Sequence, residues 1–326
     1  MLCIHNTHTD PYFNLAAEEY LLTGFTDDCF MLWQNGPSII VGKNQNTNSE
    51  INVDYVQQNN IKVVRRLSGG GAVFHDLGNI NFTFIQNSTD DKELQFQKYT
   101  RPILEVLQKL GVEARFEGRN DLTIDGKKFS GNAEFIRKNR ILHHGTLLFS
   151  SKMTDLTQAL KVNPLKYKDK SVKSVRSRVT NISEHLPQPL TIPEFIQTLM
   201  AHVTTKYHDA EMYSFTETDI AAIEQFVGSK YGTWDWNFGV SPQYSFKNVA
   251  RINGGNLEIL LDVQKGMIHN AKIYGDFFYR RDISELEAAL KNTPHDKTAI
   301  KQKLRPFNID DYLANGSLEE LVEALF

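Results

Sequence analysis

A chain of 326 residues holds about two domains at the usual ~150 residues each. Its 40% hydrophobic content is enough for a sizeable core, and Lys+Arg 36 against Asp+Glu 39 leaves a net charge of -3, too even for a nucleic-acid coat or a membrane-seeking surface. Two cysteines, Cys3 and Cys29, argue against a disulfide framework or a Cys/His zinc site. No run reaches the ~18 apolar residues of a membrane span, and the first residues lack a signal peptide's basic and apolar regions, so a cytoplasmic protein is expected.

Asp10-Pro11 reads as a helix start, with Asp at the cap and Pro at the first helical position; Phe13, Ala16, Ala17, Tyr20 and Leu21 then recur at helical spacing. Cys29–Gln34 and Ser38–Gly42 read as strands around the turn Asn35-Gly36-Pro37, and Ile61–Leu67 as a third, broken by Ser68-Gly69-Gly70-Gly71. Alternation at Ile80, Phe82 and Phe84 predicts another strand. A helix is expected over Arg101–Leu110, between Thr100 and the stop signal Gly111. An antiparallel meander follows, with Asp125-Gly126 as a two-residue hairpin turn, a second turn near Lys138-Asn139, and a strand over Ile141–Phe149.

The basic, Ser-rich stretch Lys161–Arg178 lacks apolar periodicity and reads as a long loop, of the kind that is usually functional or disordered. Helices are expected near Ile192–Tyr207 and Glu217–Lys230. Trp234–Gly239 marks a boundary, after which a short meander over Phe246–Tyr274 and three helices close the chain. Capping-box spacing occurs at Ser284/Glu287 and Ser317/Glu320. The expected organisation is a catalytic domain over 1–240 and a small α+β domain over 246–326.

The chemistry concentrates at Arg65–Asn79. Consecutive glycines let a backbone approach a ligand closely and present N–H groups to anionic oxygens, and an arginine just before them adds a planar, permanent cation. No Gly-Lys-Ser/Thr follows and no GxGxxG is present, so neither a P-loop nor a dinucleotide fingerprint explains it.

Arg65–Asn79 resembles the RRxSGGGAVFHDxGN signature of lipoate–protein ligases. The resemblance continues in order through Gly118–Leu122, Lys128–Ala133, His143–Leu148, Ser174–Asn181 and Trp234–Gly239, over nearly the whole chain. It implies an α+β fold: a catalytic domain like those of class II aminoacyl-tRNA synthetases and biotin ligases, with a mixed, largely antiparallel sheet. It also implies a reaction: lipoate, or octanoate, attacks the α-phosphorus of ATP, and a lysine of an acceptor domain then takes the acyl group from the adenylate. The implied acceptors are E2 subunits of 2-oxoacid dehydrogenases or the glycine-cleavage H protein. Two anions must be brought together and water kept away from the anhydride.

By this resemblance Lys128 is the central cation, touching both the acyl carboxylate and the nucleotide phosphate, while Lys127 points to solvent. Arg66, Gly71, Ala72, Val73, Phe74 and Asn79 would contact ATP. His144, Trp33, Gly70 and Ser68 would line the lipoate site, with His143 turned away and Arg65 structural. Arg176 and Arg178 belong to the segment that closes over the adenylate. Asp121 is the candidate ligand for Mg²⁺ on the phosphates, and reads equally as a turn cap. A monomer is expected.

Three rival functions each lack a feature they need or leave one unexplained. A carrier-dependent octanoyl- or lipoyl-transferase would need an activated cysteine, and both cysteines lie outside the motifs. A biotin ligase would carry a GRGRRGR-type loop, which is missing. A non-catalytic binding module would have no need of Lys128.

Overall fold

In a computed structural model, residues 1–45, 47–87, 94–152, 159–160, 179–238, 246–264 and 266–326 are described. The stretch 161–178 lies outside these residues, as do Arg176 and Arg178. Asp10 accepts a hydrogen bond from the Tyr12 amide and opens α1 (Pro11–Gly24), as its sequence predicts. The strands are β1 (Leu2–Asn6), β2 (Cys29–Trp33), β3 (Ser38–Val41), β4 (Lys62–Arg65), β5 (Val73–His75), β6 (Asn79–Asn87), β7 (Ala114–Glu117), β8 (Asp121–Ile124), β9 (Lys127–Arg137), β10 (Arg140–Leu148) and β11 (Glu211–Met212). Helices α2 (Thr47–Glu50), α3 (Val53–Gln58), α4 (Phe96–Lys109), α5 (Ile192–Lys206) and α6 (Glu217–Phe226) intervene or follow.

An eight-stranded sheet runs β11-β1-β2-β6-β10-β9-β8-β7, parallel at β11/β1/β2 and antiparallel beyond. Strand alternation divides its side chains. Phe30, Leu32, Phe82, Phe84 and Ile141 pack under α4 and α5 with Tyr99, Ile103, Leu199 and Val203, while Met31, Trp33, Ile85 and Leu142 pack against α1 with Phe13, Ala17 and Leu21. A three-stranded sheet, β4-β3-β5, faces that second surface beside α1. A cavity forms between the two sheets.

The hairpin turn is as read, with Asp125 at φ 51 and Gly126 at φ 70, the left-handed pair that a two-residue turn demands. Three local expectations are corrected. Helix α4 begins at Phe96 rather than Arg101. Thr100 does not cap it, its hydroxyl bonding back to the Phe96 carbonyl, because Phe96 and Tyr99 gain burial against the sheet. The third strand is only Lys62–Arg65, and β1 and β5, both unread in the sequence, are real strands.

The C-terminal part is an antiparallel sheet, β12 (Phe246–Ile252), β13 (Gly255–Gln264), β14 (Met267–Gly275) and β15 (Thr293–Pro294), covered by helices. After α7 (Trp234–Asn237), four helices rather than three close the chain: α8 (Ser284–Leu290), α9 (Lys297–Leu304), α10 (Ile309–Tyr312) and α11 (Leu318–Ala324). Ser317 and Glu320 form their reciprocal cap. Ser284 and Glu287 do not. Asp282 takes the Ser284 amide, and Glu287 turns to Lys272 Nζ at 2.6 Å and the Ile273 amide at 2.9 Å. Among the described residues no helix is long and apolar enough to cross a membrane.

Candidate active site

The cavity encloses about 670 Å³ of empty space including its mouth. Leu15, Trp33 and Ile40 make an apolar wall, Gly70–Val73 an edge, and Lys128 a cationic end. Register fixes its length. Trp33 pairs with Asn81, Asn81 with Thr146, and Asp121 with Gly131; Gly145 opposite Asn132 brings Thr146 beside Gly131. One row thus crosses β2, β6, β10 and β9, and three strand spacings put Trp33 about 14 Å from Gly131.

Lys128 reaches the cavity through a bulge. Thr123 pairs with Lys128 but Leu122 with Ser130, so Phe129 is an extra residue in β9. Without it Lys128 would share a face with Ser130, Asn132 and Glu134, the last of which sits under α4 beside His143. The inserted residue shifts the parity, so that Lys128 joins Gly131 and Ala133 on the cavity side while Phe129 enters the α4/α5 core. Its amine lies against Gly131, where an ideal Cβ would be 3.0 Å from Nζ, and bonds Asp121 at 2.7 Å. Both partners are accessible, with 40% and 36% of the side chain exposed. Lys127 is exposed on the other face, as alternation requires.

Arg66 is buried, and its donors go to the Ser68 hydroxyl and to the carbonyls of Ile40, Gly69 and Gly71. The guanidinium therefore braces the glycine loop from inside while lining the cavity; burial lowers its pKa to about 10. Arg65, on the other side of β4, is structural: it bonds the carbonyls of Gly42, Lys43, Gln45, Trp236 and Asn237. The glycines have two separate reasons. Gly70 sits at φ 91, and a Cβ on Gly69 would overlap the Phe277 carbonyl of the C-terminal part.

His144 lines the cavity and carries a buried chain. Its Nδ1 lies 2.9 Å from Glu18 Oε1 and its Nε2 2.6 Å from Ser68 Oγ. Glu18 also accepts from Thr83 Oγ1 at 2.6 Å, and Thr83 accepts from Trp33 Nε1 at 2.9 Å. Ser68 and Trp33, both expected at the acyl site, are thus joined to His144 by one network. Glu18 was missed. An acid inside an apolar helix stretch was the available signal, and its partner lies 126 residues away. His143 points away, as expected, into the opposite face beside Glu134 at 2.8 Å.

Of the expected contacts, Trp33, Arg66, Gly70, Gly71, Ala72, Val73, Lys128 and His144 line one cavity. Ser68, Phe74 and Asn79 stand behind it. Phe74 packs in the β3/β4 core, and Asn79 donates to Asn81 Oδ1 at 2.9 Å. His75 and Phe278 line the cavity and were not foreseen. Phe278 comes from the C-terminal part, its ring 4.3 Å under the Arg119 guanidinium, and Arg119 donates to the Gly254 carbonyl. Asn120 and Asn132 exchange side-chain-to-carbonyl bonds, which clamp the loop before Asp121 to β9.

Among the described residues no group of three or more His, Cys, Asp or Glu could hold a metal ion. Cys3 and Cys29 are free, buried and absent from the cavity wall; burial raises both thiols, Cys29 to about 12.

A lysine facing an apolar slot beside a braced glycine loop suits an enzyme that activates an acid, and the chain's likeness to known proteins narrows the class. Residues 10–204 match the lipoyl protein ligase A/B catalytic domain and residues 241–325 the bacterial lipoate protein ligase C-terminus. The chain is 43% identical to lipoate-protein ligase LplJ of Bacillus subtilis, covering 100% of both chains. It is 44% identical to lipoate–protein ligase 1 of Staphylococcus aureus, covering 98% of each. Its fold is similar to that of P. falciparum LipL1, solved in complex with lipoate, at TM-score 0.79 and 27% identity over 94% of each chain. A lipoate-protein ligase A bound with ATP aligns at TM-score 0.64 and 27% identity, covering 74% of this chain and 98% of that one. The chain belongs to the lipoate–protein ligase family and is a ligase of that family.

Proposed function

We propose that this enzyme joins lipoate to ATP, releasing pyrophosphate, and passes the acyl group from the adenylate to a lysine of a lipoyl domain. The observation that carries this reading is the polarity of the cavity: a cation at one end and an apolar wall about 14 Å along the sheet row at the other. An extended eight-carbon acid fits between them. Its carboxylate sits at Lys128, and the nucleotide lies along Gly70–Val73. The catalytic lysine exchanges Asp121 for the two anions, which lets a carboxylate oxygen attack the α-phosphorus. Arg66 adds positive field from behind the loop. The acceptor amine then attacks the carbonyl carbon, AMP leaves, and the amine proton passes to solvent.

Residues 1–240 would form the catalytic domain and 246–326 the accessory one. Asp121, freed from Lys128, would be the carboxylate to hold a Mg²⁺ ion, the hard oxygen ligand such a cation takes. Such an ion would neutralise phosphate charge. Arg176 and Arg178 precede Val179, which bridges to Lys128, and this supports their assignment to the adenylate. An archaeal ligase whose structural description includes its E2 lipoyl domain resembles this chain at TM-score 0.64 and 28% identity, over 75% of this chain. That favours a lipoyl-domain acceptor, with the glycine-cleavage H protein the other candidate. Two free cysteines suit a reducing cytoplasm, and we read the enzyme as a monomer. The carrier-dependent transferase is disfavoured, since neither cysteine lines the cavity and burial disfavours both thiolates.

The test is lipoate-dependent exchange of labelled pyrophosphate into ATP without acceptor protein. Wild type should support it, and Lys128→Ala should lose on the order of 10²–10³ in rate, the usual loss for one charge-stabilising donor. Near-normal exchange in that variant would remove Lys128 from the chemistry.

A further inference from the structure

At the apolar end of the cavity one polar atom has no use in the folded chain. His75 is buried and lines the cavity beside Trp33, their rings 6.3 Å apart and edge-on. Its Nδ1 lies 3.1 Å from Asn35 Nδ2, while its Nε2 is buried with no hydrogen-bond partner among the described residues.

The proton on that ring is fixed by a chain of asparagines. Asn14 Nδ2 donates to the main-chain carbonyls of His8 and Gln34, each at 2.9 Å, which sets the direction of the Asn14 amide. Asn6 Nδ2 donates to Asn14 Oδ1 at 2.8 Å, in agreement. Asn14 Nδ2 also reaches Asn35 Oδ1 at 2.8 Å, so the oxygen of Asn35 faces Asn14 and its nitrogen faces His75. An amide nitrogen only donates, so His75 Nδ1 accepts. Burial, with the charges of Arg66 and His144 adding to it, lowers the ring's pKa to about 3 and keeps it neutral. The hydrogen therefore stands on Nε2.

A buried donor without an acceptor is costly, and native proteins leave few of them. The surroundings limit what can satisfy this one. Leu15, Trp33 and Ile40 favour an apolar group, and the carboxylate end of the acid is placed at Lys128. The partner must be apolar in bulk yet carry a weak acceptor, which describes a sulfur of a cyclic disulfide. We propose that His75 Nε2–H donates to a ring sulfur of bound lipoate and sets the preference for the dithiolane over a plain acyl chain. This rests on the reading of lipoate as substrate.

The experiment compares three acids in acid-dependent pyrophosphate exchange: lipoate, 5-cyclopentylpentanoate, which keeps a five-membered ring but replaces both sulfurs with carbon, and octanoate. Wild type should favour lipoate over the cyclopentyl acid by about three- to tenfold in kcat/KM, mainly through KM, the scale of one modest hydrogen bond. His75→Phe should bring the ratio close to one, and His75→Gln, which can place an amide N–H near the same point, should keep part of it. Equal use of lipoate and the cyclopentyl acid by wild type would overturn the proposal, as would a His75→Phe variant that slows all three acids by one factor. If His75→Phe does not fold, the wild-type comparison and His75→Gln still decide. Exchange with none of the acids would instead overturn the ligase reading itself.

Discussion

Gly131 stands against the Lys128 amine, and its substitution tests the proposed role of that amine by separating positioning from folding. An alanine Cβ there would press on Lys128 Nζ, which can move, so Gly131→Ala should fold normally while pyrophosphate exchange falls about tenfold or more. A loss of stability matching the loss of activity would refute the positioning argument. Thr83→Val should do the opposite. It strands Trp33 Nε1–H and removes a donor to Glu18, costing about 1–3 kcal/mol in urea unfolding. His75 makes a pH prediction. Its pKa is about 3 folded against 6.5 unfolded, so unfolding takes up a proton between those values and stability falls as pH drops through that window. His75→Phe should flatten the acid limb of the stability curve by up to ~1.4 kcal/mol per pH unit there. An unchanged slope would mean the ring is already charged. His143, also lowered by burial, leaves a residual slope. The motif residues Lys128, Arg66 and His144 were legible because local order carries them. Glu18 and Asn35 were not: what they do depends on partners brought near only by the folded sheet.

Elements were legible where their signals are local. The Asp10-Pro11 start, the Asp125-Gly126 turn and the Ser317 cap rest on neighbours a few residues away, and all three formed. The start of α4 failed because Thr100 looks like a beginning, yet Phe96 and Tyr99 are worth more buried than the backbone bond lost at Pro102 inside the helix. The same spacing gave different outcomes at Ser284 and Ser317 because Asp282 competes for the first and Lys272 draws Glu287 away. Ser317→Ala should therefore cost about 1 kcal/mol and Ser284→Ala almost nothing in thermal or urea unfolding. Equal losses would show that the box at Ser284 forms in solution. The bulge at Phe129 left no sequence signal, since a one-residue insertion in a strand is defined only by its partner's register.

Across the whole molecule, the glycine loop is one of the places where the two parts meet, beside Arg119. Phe277 offers its carbonyl to the Gly70 amide at 3.3 Å, the Tyr279 hydroxyl bonds the Leu67 carbonyl, and Phe278 enters the cavity wall. Sequence texture separated the C-terminal part but could not show that it touches the loop, because that contact joins segments about two hundred residues apart in the chain. Gly69→Ala, whose methyl would overlap the Phe277 carbonyl, should loosen this seam without unfolding either core. Faster limited proteolysis with unchanged far-UV circular dichroism would bear that out; unchanged proteolysis would show that the seam absorbs the methyl group. Because a phenylalanine from one half forms part of the chamber in the other, the chamber's contents and the grip between halves are thermodynamically linked. An occupant that pushes that ring aside must weaken the grip by the same factor by which a looser grip would strengthen its own retention. Ligands of graded bulk beside Gly70 would then act as a gauge for the seam, each step in size registering as a change in how readily the two parts come apart.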